Sequence, residues 1–208
     1  MPLVRKSTTP VDAPPSGLEA LRAALASSSP DERWQAARAL IDMPGGIALL
    51  GAGLATEADI RVREVIFTGI ARNATPAGAA LLLPLLRSED ASLRSGALDA
   101  LAAMPAAMLA GRLPELLHDA DPDVRLLACE LARGLPSEDA TRLMVDLLER
   151  ESEPNVCAAT VDVLAEIGGP QALPVLQRNA ERFASSPFLA FAIEIAVKRI
   201  STTLDAGR

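Results

Sequence analysis

Histidine, tyrosine and aromatic residues in general are scarce in this sequence. Its 208 residues include one histidine, His118, no tyrosine, one tryptophan and four phenylalanines. A transition-metal centre needs several ligands at defined spacing, which one imidazole and scattered carboxylates do not provide. Ser-His-Asp chemistry would also have to use His118, whose sequence neighbours offer no such arrangement. We therefore predict no catalytic residue, no metal site and no cofactor.

Cysteine pairs and phosphate-binding glycine motifs are also lacking. The two cysteines, Cys129 and Cys157, match no Cys-x-x-Cys metal or redox spacing. Apolar neighbours favour a buried role for Cys129, whereas a helix start at Cys157 leaves an activated thiol open there. The pairs Gly45-Gly46 and Gly168-Gly169 lack both a following Lys-Ser or Lys-Thr and the dinucleotide spacing. We interpret them as turns between helices.

The sequence has no apolar stretch long enough to cross a bilayer. Arg5 and Lys6 precede Ser-Thr-Thr-Pro instead of the apolar segment of a signal peptide. This predicts a cytoplasmic protein without a membrane partner. Acidic residues outnumber basic ones by 27 to 20, which gives a formal net charge of −7. Because such a chain repels phosphate as a whole, we expect no nucleic-acid partner.

What the sequence does contain is a repeat of about 30 residues. Its clearest copy is Asp121-Pro122-Asp123-Val124-Arg125, which is followed at helical spacing by small and aliphatic residues. The arginine of this phrase recurs as a column formed by Arg33, Arg63, Arg94 and Arg125, and its place is taken later by Cys157 and Leu189. A fixed period of this length with one helix-turn-helix per copy is typical of an α-solenoid.

Second helices follow in each copy, rich in leucine at i, i+3 and i+4 spacing, and are predicted at 79–87, 109–118, 140–150 and 172–182. The predicted fold is an all-α, right-handed solenoid of about five helical pairs with cap helices at its ends. It spans residues 17–202, beginning with a cap helix around Leu21. The Pro/Ser/Thr-rich segment 1–16 is predicted to be disordered and residues 203–208 to be a flexible tail.

The segment 121–125 and the Leu-Pro steps at 83–84, 113–114 and 173–174 carry a family resemblance. Over roughly residues 27–200 the chain resembles the short bacterial HEAT repeats, also called the phycobilisome-lyase-like HEAT family. The resemblance implies an armadillo-like superhelix, with the first helices on the convex side and the second helices on the concave side. It implies architecture and not activity.

Enzymes with similar repeats need features that this sequence lacks. Deoxyhypusine hydroxylase resembles the chain in repeat type, but its di-iron site requires several His-Glu pairs. The phycobilin lyases are similar in their repeats, yet the scarcity of aromatic residues weakens a tetrapyrrole pocket. HEAT-like DNA glycosylases hold DNA in a basic groove, which the acidic balance disfavours. We predict that the protein is not an enzyme.

The second-helix layer carries a mixed set of charges that we name the second-helix surface. Arginine forms bidentate contacts with carboxylates and is enriched at interfaces, so this set favours an acidic or mixed-charge protein segment as partner. Polar stripes of ordinary amphipathic helices would give the same pattern, and this alternative stays open. The second-helix surface comprises Arg112, Glu115, His118, Arg142, Asp146, Glu149, Arg150, Arg178 and Arg182.

Two further columns are interpreted structurally. Five positions after the arginine place lies an acidic ridge, expected to be a solvated convex face, which comprises Asp99, Glu130, Asp162 and Glu194. The arginine column itself is expected to form a structural ladder. Its hydrogen-bonding partners are predicted to be the preceding aspartates, namely Asp31, Asp59, Asp90 and Asp121 or Asp123.

The ends of the repeat array leave two alternatives open. The helix from Phe188 to Ile200 is apolar over most of its girth, and it either packs on the fifth repeat or receives a partner or second copy, which would give a homodimer. Trp34 either packs at the cap helix or anchors a partner. The predicted function is a non-catalytic adaptor or scaffold in regulation or complex assembly. The alternative is a lyase-like or chaperone-like accessory factor for cofactor attachment or maturation of another protein.

Overall fold

The computed structural model describes residues 17–206, with side chains to residue 203. These residues form twelve α-helices joined by short loops and 3-10 turns, and no strand occurs among them. The predicted all-α repeat fold is therefore confirmed. The segment 1–16, predicted to be disordered, lies outside the described residues.

Two compact units, which divide after Gly69, make up the described chain. The first unit contains α1 (Leu18–Leu25), α2 (Pro30–Leu40), α3 (Gly46–Leu54) and most of α4 (Ile60–Asn73). Helix α1 packs against α2 and α3 and buries Leu21, as a cap helix does. At the start of α2 the Ser29 hydroxyl accepts a hydrogen bond from the Glu32 amide, and Pro30 occupies the first turn, where no amide donor is needed.

The second unit contains the end of α4 and the remaining helices. These are α5 (Pro76–Leu82), α6 (Ala91–Ala102), α7 (Leu113–Leu117), α8 (Pro122–Ala132), α9 (Ser137–Arg150), α10 (Pro154–Ile167), α11 (Leu173–Arg182) and α12 (Pro187–Ala206). Helix α8 packs against α6, α7 and α10, while α10 packs against α8, α9 and α12. Each helix is thus buried by its neighbours along the chain, as in a solenoid.

The Asp-Pro-Asp phrase of the repeat forms a helix start. The Asp121 carboxylate accepts a hydrogen bond from the Asp123 amide at 2.9 Å, and Pro122 lies in the first turn of α8. Asp90 accepts from two amides of α6 in the same way. Capping of this kind satisfies amides that have no partner within the helix, and so the repeated aspartates fix where first helices begin.

Two columns of the repeat form the core. Three residues after the arginine place, the side chains at Ala36, Ile66, Ala97, Ala128 and Thr160 are at most 2% exposed. Seven residues after it, Leu40, Ile70, Leu101, Ala132 and Leu164 are fully buried. The hydroxyl of Thr160 donates to the Val156 carbonyl oxygen at 2.7 Å, which satisfies the one polar group in these columns. Small and aliphatic side chains thus fill the interior that aromatic residues fill in other proteins.

The second helices are less regular than the sequence pattern predicts. A 3-10 turn at Leu83–Arg87 ends the segment predicted as a helix at 79–87, and α7 covers only Leu113–Leu117 of the predicted 109–118. The cause is the Leu-Pro step, because proline lacks the amide that an uninterrupted helix requires. Pro114 and Pro174 instead lie in the first turns of α7 and α11.

Helix α12 extends beyond the predicted end of the solenoid. It runs to Ala206, so residues 203–206 are helical where we predicted a flexible tail. Neither proline nor glycine interrupts the sequence between Ile200 and Ala206. The hydroxyls of Thr202 and Thr203 donate to backbone carbonyl oxygens one turn earlier, at 2.9 and 3.0 Å.

Candidate protein-binding surface

The second-helix surface lies in the second unit, on α7, α9, α11 and the residues at their ends. All nine of its predicted residues are exposed. Within α7 and its N-terminal cap, the Arg112 guanidinium lies 3.6 Å from the Glu115 carboxylate. Both side chains are more than half exposed, so this pair contributes little to folding and its charges are accessible to a partner.

His118, Asp146 and Arg150 form a group that links α7 to α9. The Nδ1 atom of His118 lies 2.7 Å from the Pro114 carbonyl oxygen, at the C-terminal end of α7. Its Nε2 atom is 3.8 Å from the Asp146 carboxylate, which is also 3.6 Å from Arg150 Nε. Arg150 additionally donates to the Leu117 carbonyl oxygen at 3.0 Å. The group therefore holds the C-terminal ends of two second helices side by side.

A second link joins α9 to α11. The Arg178 guanidinium donates to the Glu149 carboxylate at 2.6 Å. The two remaining arginines have partners outside the predicted set. Arg142 lies 3.3 Å from Asp139, and the Arg182 guanidinium lies 4.7 Å from the centre of the Phe183 ring. The side chain of Arg142 is 69% exposed.

A groove of 280 Å³ opens beside Arg112. Its lining combines apolar side chains with charges at the rim and consists of Ala80, Leu83, Pro84, Arg87, Arg112, Glu115 and Leu116. Arg87, which the sequence pattern did not single out, forms an ion pair with Asp119. An apolar floor bordered by arginines fits a protein segment that has both apolar and acidic side chains.

The acidic ridge is partly neutralised, which the column pattern alone did not reveal. Arg133 lies 2.8 Å from Glu130 and 2.5 Å from Asp162, and it also pairs with Glu166. Burial opposes the charged form, but these carboxylates raise the pKa of the Arg133 guanidinium. Asp99 and Glu194 are exposed, and the solvated convex face stays a prediction. Two of the four ridge acids thus belong to a local ion-pair network.

The four arginines of the column donate hydrogen bonds to the backbone, a contact that the prediction of aspartate partners did not include. Each arginine donates to a carbonyl oxygen six residues earlier, from Arg33 to Ser27, Arg63 to Glu57, Arg94 to Ser88 and Arg125 to Asp119. Asp90 and Asp121 cap α6 and α8, and both Asp31 and Asp59 lie beside Arg61. Arginine reaches the loop behind its own helix because its long side chain folds back past the N-terminal turn.

Two arginines of the column, Arg33 and Arg125, also bind a glutamate that follows a second helix. Arg33 donates to both carboxylate oxygens of Glu57 at 2.7 and 2.8 Å, and Arg125 donates to both of Glu151 at 2.7 and 3.0 Å. Hydrogen bonds from Arg33 lower the pKa of Glu57. Burial alone would raise the pKa of Glu151, but bonds from Arg125 and from two backbone amides outweigh it and lower that pKa.

Both cysteines are buried, and Cys157 is not an activated thiol. Burial raises the pKa of each thiol to about 11, and the neighbouring Glu151 carboxylate adds to the effect at Cys157. The Cys157 thiol donates to the Glu151 carbonyl oxygen at 3.6 Å. Its place in the arginine column explains this burial, because the start of α10 faces α8 and α9.

We expect neither thiol to react appreciably with a disulfide reagent such as DTNB at pH 8 within minutes, because a pKa of 11 leaves about 0.1% of each thiol ionised. The absorbance of the released thiolate gives the rate. Protein unfolded in guanidinium chloride is the control and should release two equivalents at once. Rapid release of one equivalent from folded protein would contradict the buried position of that cysteine.

Helix α12 presents an apolar stripe to solvent. Phe188 and Phe191 are 72% and 61% exposed, and Ile195 is 38% exposed. The opposite side of the helix packs against α10 and α11 and buries Leu189, Ile193 and Ala196. Packing on the fifth repeat thus accounts for one side only. A second copy of the chain docking on the exposed stripe stays a prediction.

Among the described residues no group of three or more His, Cys, Asp or Glu side chains could hold a metal ion. None of the helices within this part of the chain has the length and apolar character to span a membrane.

Known proteins share the fold of this chain. An archaeal HEAT-like repeats protein from Thermococcus onnurineus NA1 superposes with a TM-score of 0.54 at 12% identity, over 88% of this chain and 87% of that one. TOG3 of Drosophila melanogaster Mini spindles superposes with a TM-score of 0.55 at 15% identity, over 86% and 92%. Human deoxyhypusine hydroxylase is 22% identical over 88% and 73%, but its TM-score of 0.46 is too low to support an argument.

No curated protein matches the sequence. Residues 109–186, which include α7 to α11, match the family model for HEAT repeats. The finer resemblance to bacterial, lyase-like repeats stays a prediction. Residues 109–186 are therefore similar to HEAT repeats, and the fold of the described chain is that of a repeat solenoid.

Proposed function

We propose that this protein is a non-catalytic adaptor in the cytoplasm, which binds a partner protein through the second-helix surface. One observation carries the proposal, namely the excess of exposed arginine on that surface. Its nine residues include five arginines and three carboxylates, in a chain with a net charge of −7. The excess of arginine over carboxylate within these nine residues favours a partner segment of negative or mixed charge.

The existing ion pairs do not block such a partner. The Arg112–Glu115 and Arg178–Glu149 pairs have side chains that are 52–73% exposed, and exposed pairs of this kind contribute little to stability. A partner carboxylate can therefore replace the intramolecular one at small cost. The apolar floor formed by Leu83, Pro84 and Leu116 supplies apolar contact area for a partner, which exposed charges alone do not provide.

We expect the double variant Arg112→Glu/Arg142→Glu to lose its partner. Both side chains are at least 60% exposed, so the reversal leaves the core intact while it repels an acidic segment. The measurement is retention of a stoichiometric protein by the immobilised full chain, followed by titration of that purified protein against each variant. Reversal of both charges should weaken binding by about 10- to 100-fold.

A matched control reverses two exposed charges outside the surface, as in Arg22→Glu/Lys198→Glu. Equal affinity of all three proteins for the captured partner would contradict the proposal. A coloured or metal cofactor that co-purifies with the chain would instead favour the accessory role in cofactor attachment.

A further inference from the structure

A groove in the first unit shares no residue with the second-helix surface. It has a volume of 660 Å³ and runs between α2 and α4. Its lining consists of Asp31, Trp34 and Gln35 from α2 and Arg61, Glu64, Val65 and Thr68 from α4. The groove therefore combines an aromatic ring and an aliphatic side chain with several polar groups.

Trp34 is half-buried in this groove and already contacts a guanidinium. The Cζ atom of Arg38 lies 5.3 Å from the centre of the indole ring, within the range of a cation–π contact. The indole N–H has no hydrogen-bond acceptor among the described residues, although buried tryptophan normally finds one. The ring thus has the electronic character to attract a cation and still has an unused donor.

The charges around the ring leave one carboxylate without a partner. Arg61 is shared between Asp31, at 3.1 Å, and Asp59, at 3.2 Å. Glu64 is exposed and forms no ion pair or hydrogen bond within the described part of the chain. In and around the groove there are thus three carboxylates and two guanidinium groups. The carboxylates are those of Asp31, Asp59 and Glu64, and the guanidinium groups are those of Arg38 and Arg61. The local charge is therefore negative, and Glu64 is the carboxylate that remains available to a ligand.

We propose that this groove binds an arginine side chain presented by a peptide segment of a partner protein. The partner guanidinium stacks on the accessible part of the Trp34 ring and donates hydrogen bonds to the Glu64 carboxylate. Arginine fits better than lysine because its planar group can stack and donate in pairs at once. The partner's neighbouring apolar side chain packs on Val65.

An exposed isoleucine extends the same face of α4. Ile60 is 60% exposed and lies one helical turn before Glu64. Residues four apart share one face of a helix, so Ile60, Glu64 and Thr68 form a line along the groove. An apolar residue next to the partner arginine therefore finds a second contact at Ile60. This arrangement favours a segment in which arginine alternates with or adjoins aliphatic residues.

Trp34 also gives the proposal a direct measurement, because it is the single tryptophan of the chain. We would titrate full-length protein with an acetylated, amidated peptide of sequence Gly-Leu-Arg-Leu-Arg-Gly and follow tryptophan emission. The matched peptide has citrulline at both arginine positions, which keeps the planar shape and removes the charge. We expect saturable quenching or shift with the arginine peptide, and about tenfold weaker binding of the citrulline peptide.

The variant Glu64→Gln should weaken the arginine peptide by about tenfold, since it removes the charge but keeps the shape. Glu19→Gln, an exposed acid on α1, is the matched control and should bind as the unmodified chain does. Circular dichroism confirms that each variant is folded. No saturable change in emission, equal binding of both peptides, or unaltered binding by Glu64→Gln would each overturn the proposal. None of these outcomes bears on the adaptor role of the second-helix surface.

Discussion

Replacement of Glu151 by glutamine is expected to lower the free energy of unfolding of the second unit by about 1.5–3 kcal/mol, the range for hydrogen bonds to charged groups. The Glu151 side chain is 4% exposed and that of Arg125 is 14% exposed. Glutamine keeps the shape but turns one acceptor into a donor that faces the guanidinium. Arg125 would then be left with an uncompensated charge in a largely buried position.

The matched control for this change is Glu149→Gln, two residues earlier. Glu149 also pairs with an arginine, Arg178, but its side chain is 52% exposed. Its loss should cost less than about 0.5 kcal/mol, because water replaces the partner. Urea unfolding followed by circular dichroism compares the two variants, and hydrogen exchange locates the effect in α8 and α10. Equal destabilisation by both variants would show that burial of the Glu151 pair has no energetic weight.

The same pair predicts a pH dependence of stability. The pKa of Glu151 is lowered in the folded chain, and so is that of Glu57. A lowered folded pKa means that the stabilisation is complete above the unfolded value, about 4.3, and is lost as the pH falls through the folded value. The difference between the unmodified protein and Glu151→Gln should therefore be full at pH 7 and shrink in acid. A difference that grows as the pH falls would contradict this sign.

The second large effect is expected from Gly46→Ala in α3. A Cβ atom at this position would lie 1.9 Å from the Leu40 carbonyl oxygen, a backbone atom that no rotamer change can move away. The preceding Gly45 has a φ of +80°, a backbone conformation that favours glycine. Two consecutive positions of the tight turn from α2 into α3 therefore require glycine. We expect a loss of about 1–3 kcal/mol, the usual cost of overpacking.

Helix α3 contains its own control, Gly53→Ala. A Cβ atom on Gly53 would meet no atom within 4 Å. Since alanine is the better helix former, this variant should be more stable by about 0.5–1 kcal/mol. Denaturant unfolding followed by Trp34 emission reports on the first unit directly. Shifts of the same sign in both variants would mean that the close approach to Leu40 does not limit the turn.

Local spacing predicted the parts of the fold that depend on one helix at a time. The arginine column, the buried positions three and seven residues later and the cap helix at Leu21 follow from periodicity that each segment carries itself. The interruption of the second helices at Pro84 and Pro114 was also legible in principle, because proline restricts its own position in a helix.

The contacts between segments were the part that spacing could not supply. Glu57 and Glu151 lie 24 and 26 residues after the arginines they bind, beyond two helices and a turn. Arg133 neutralises part of the acidic ridge from a position that no other copy of the repeat shares. The sequence pattern does not show that α4 lies beside Trp34 and forms a groove with it. In each case the missing information was which neighbouring turn a long side chain reaches.

The ion pair between Arg125 and Glu151 suggests where the chain can be divided into repeat units. Both partners, together with the carbonyl oxygen of Asp119 that Arg125 also binds, lie within the single stretch 119–151. A segment with these limits contains both Arg125 and Glu151. A segment that began at the start of α8 would separate Arg125 from the Asp119 carbonyl oxygen. A segment that is duplicated to lengthen the chain should therefore begin in one loop between repeats and end in the next.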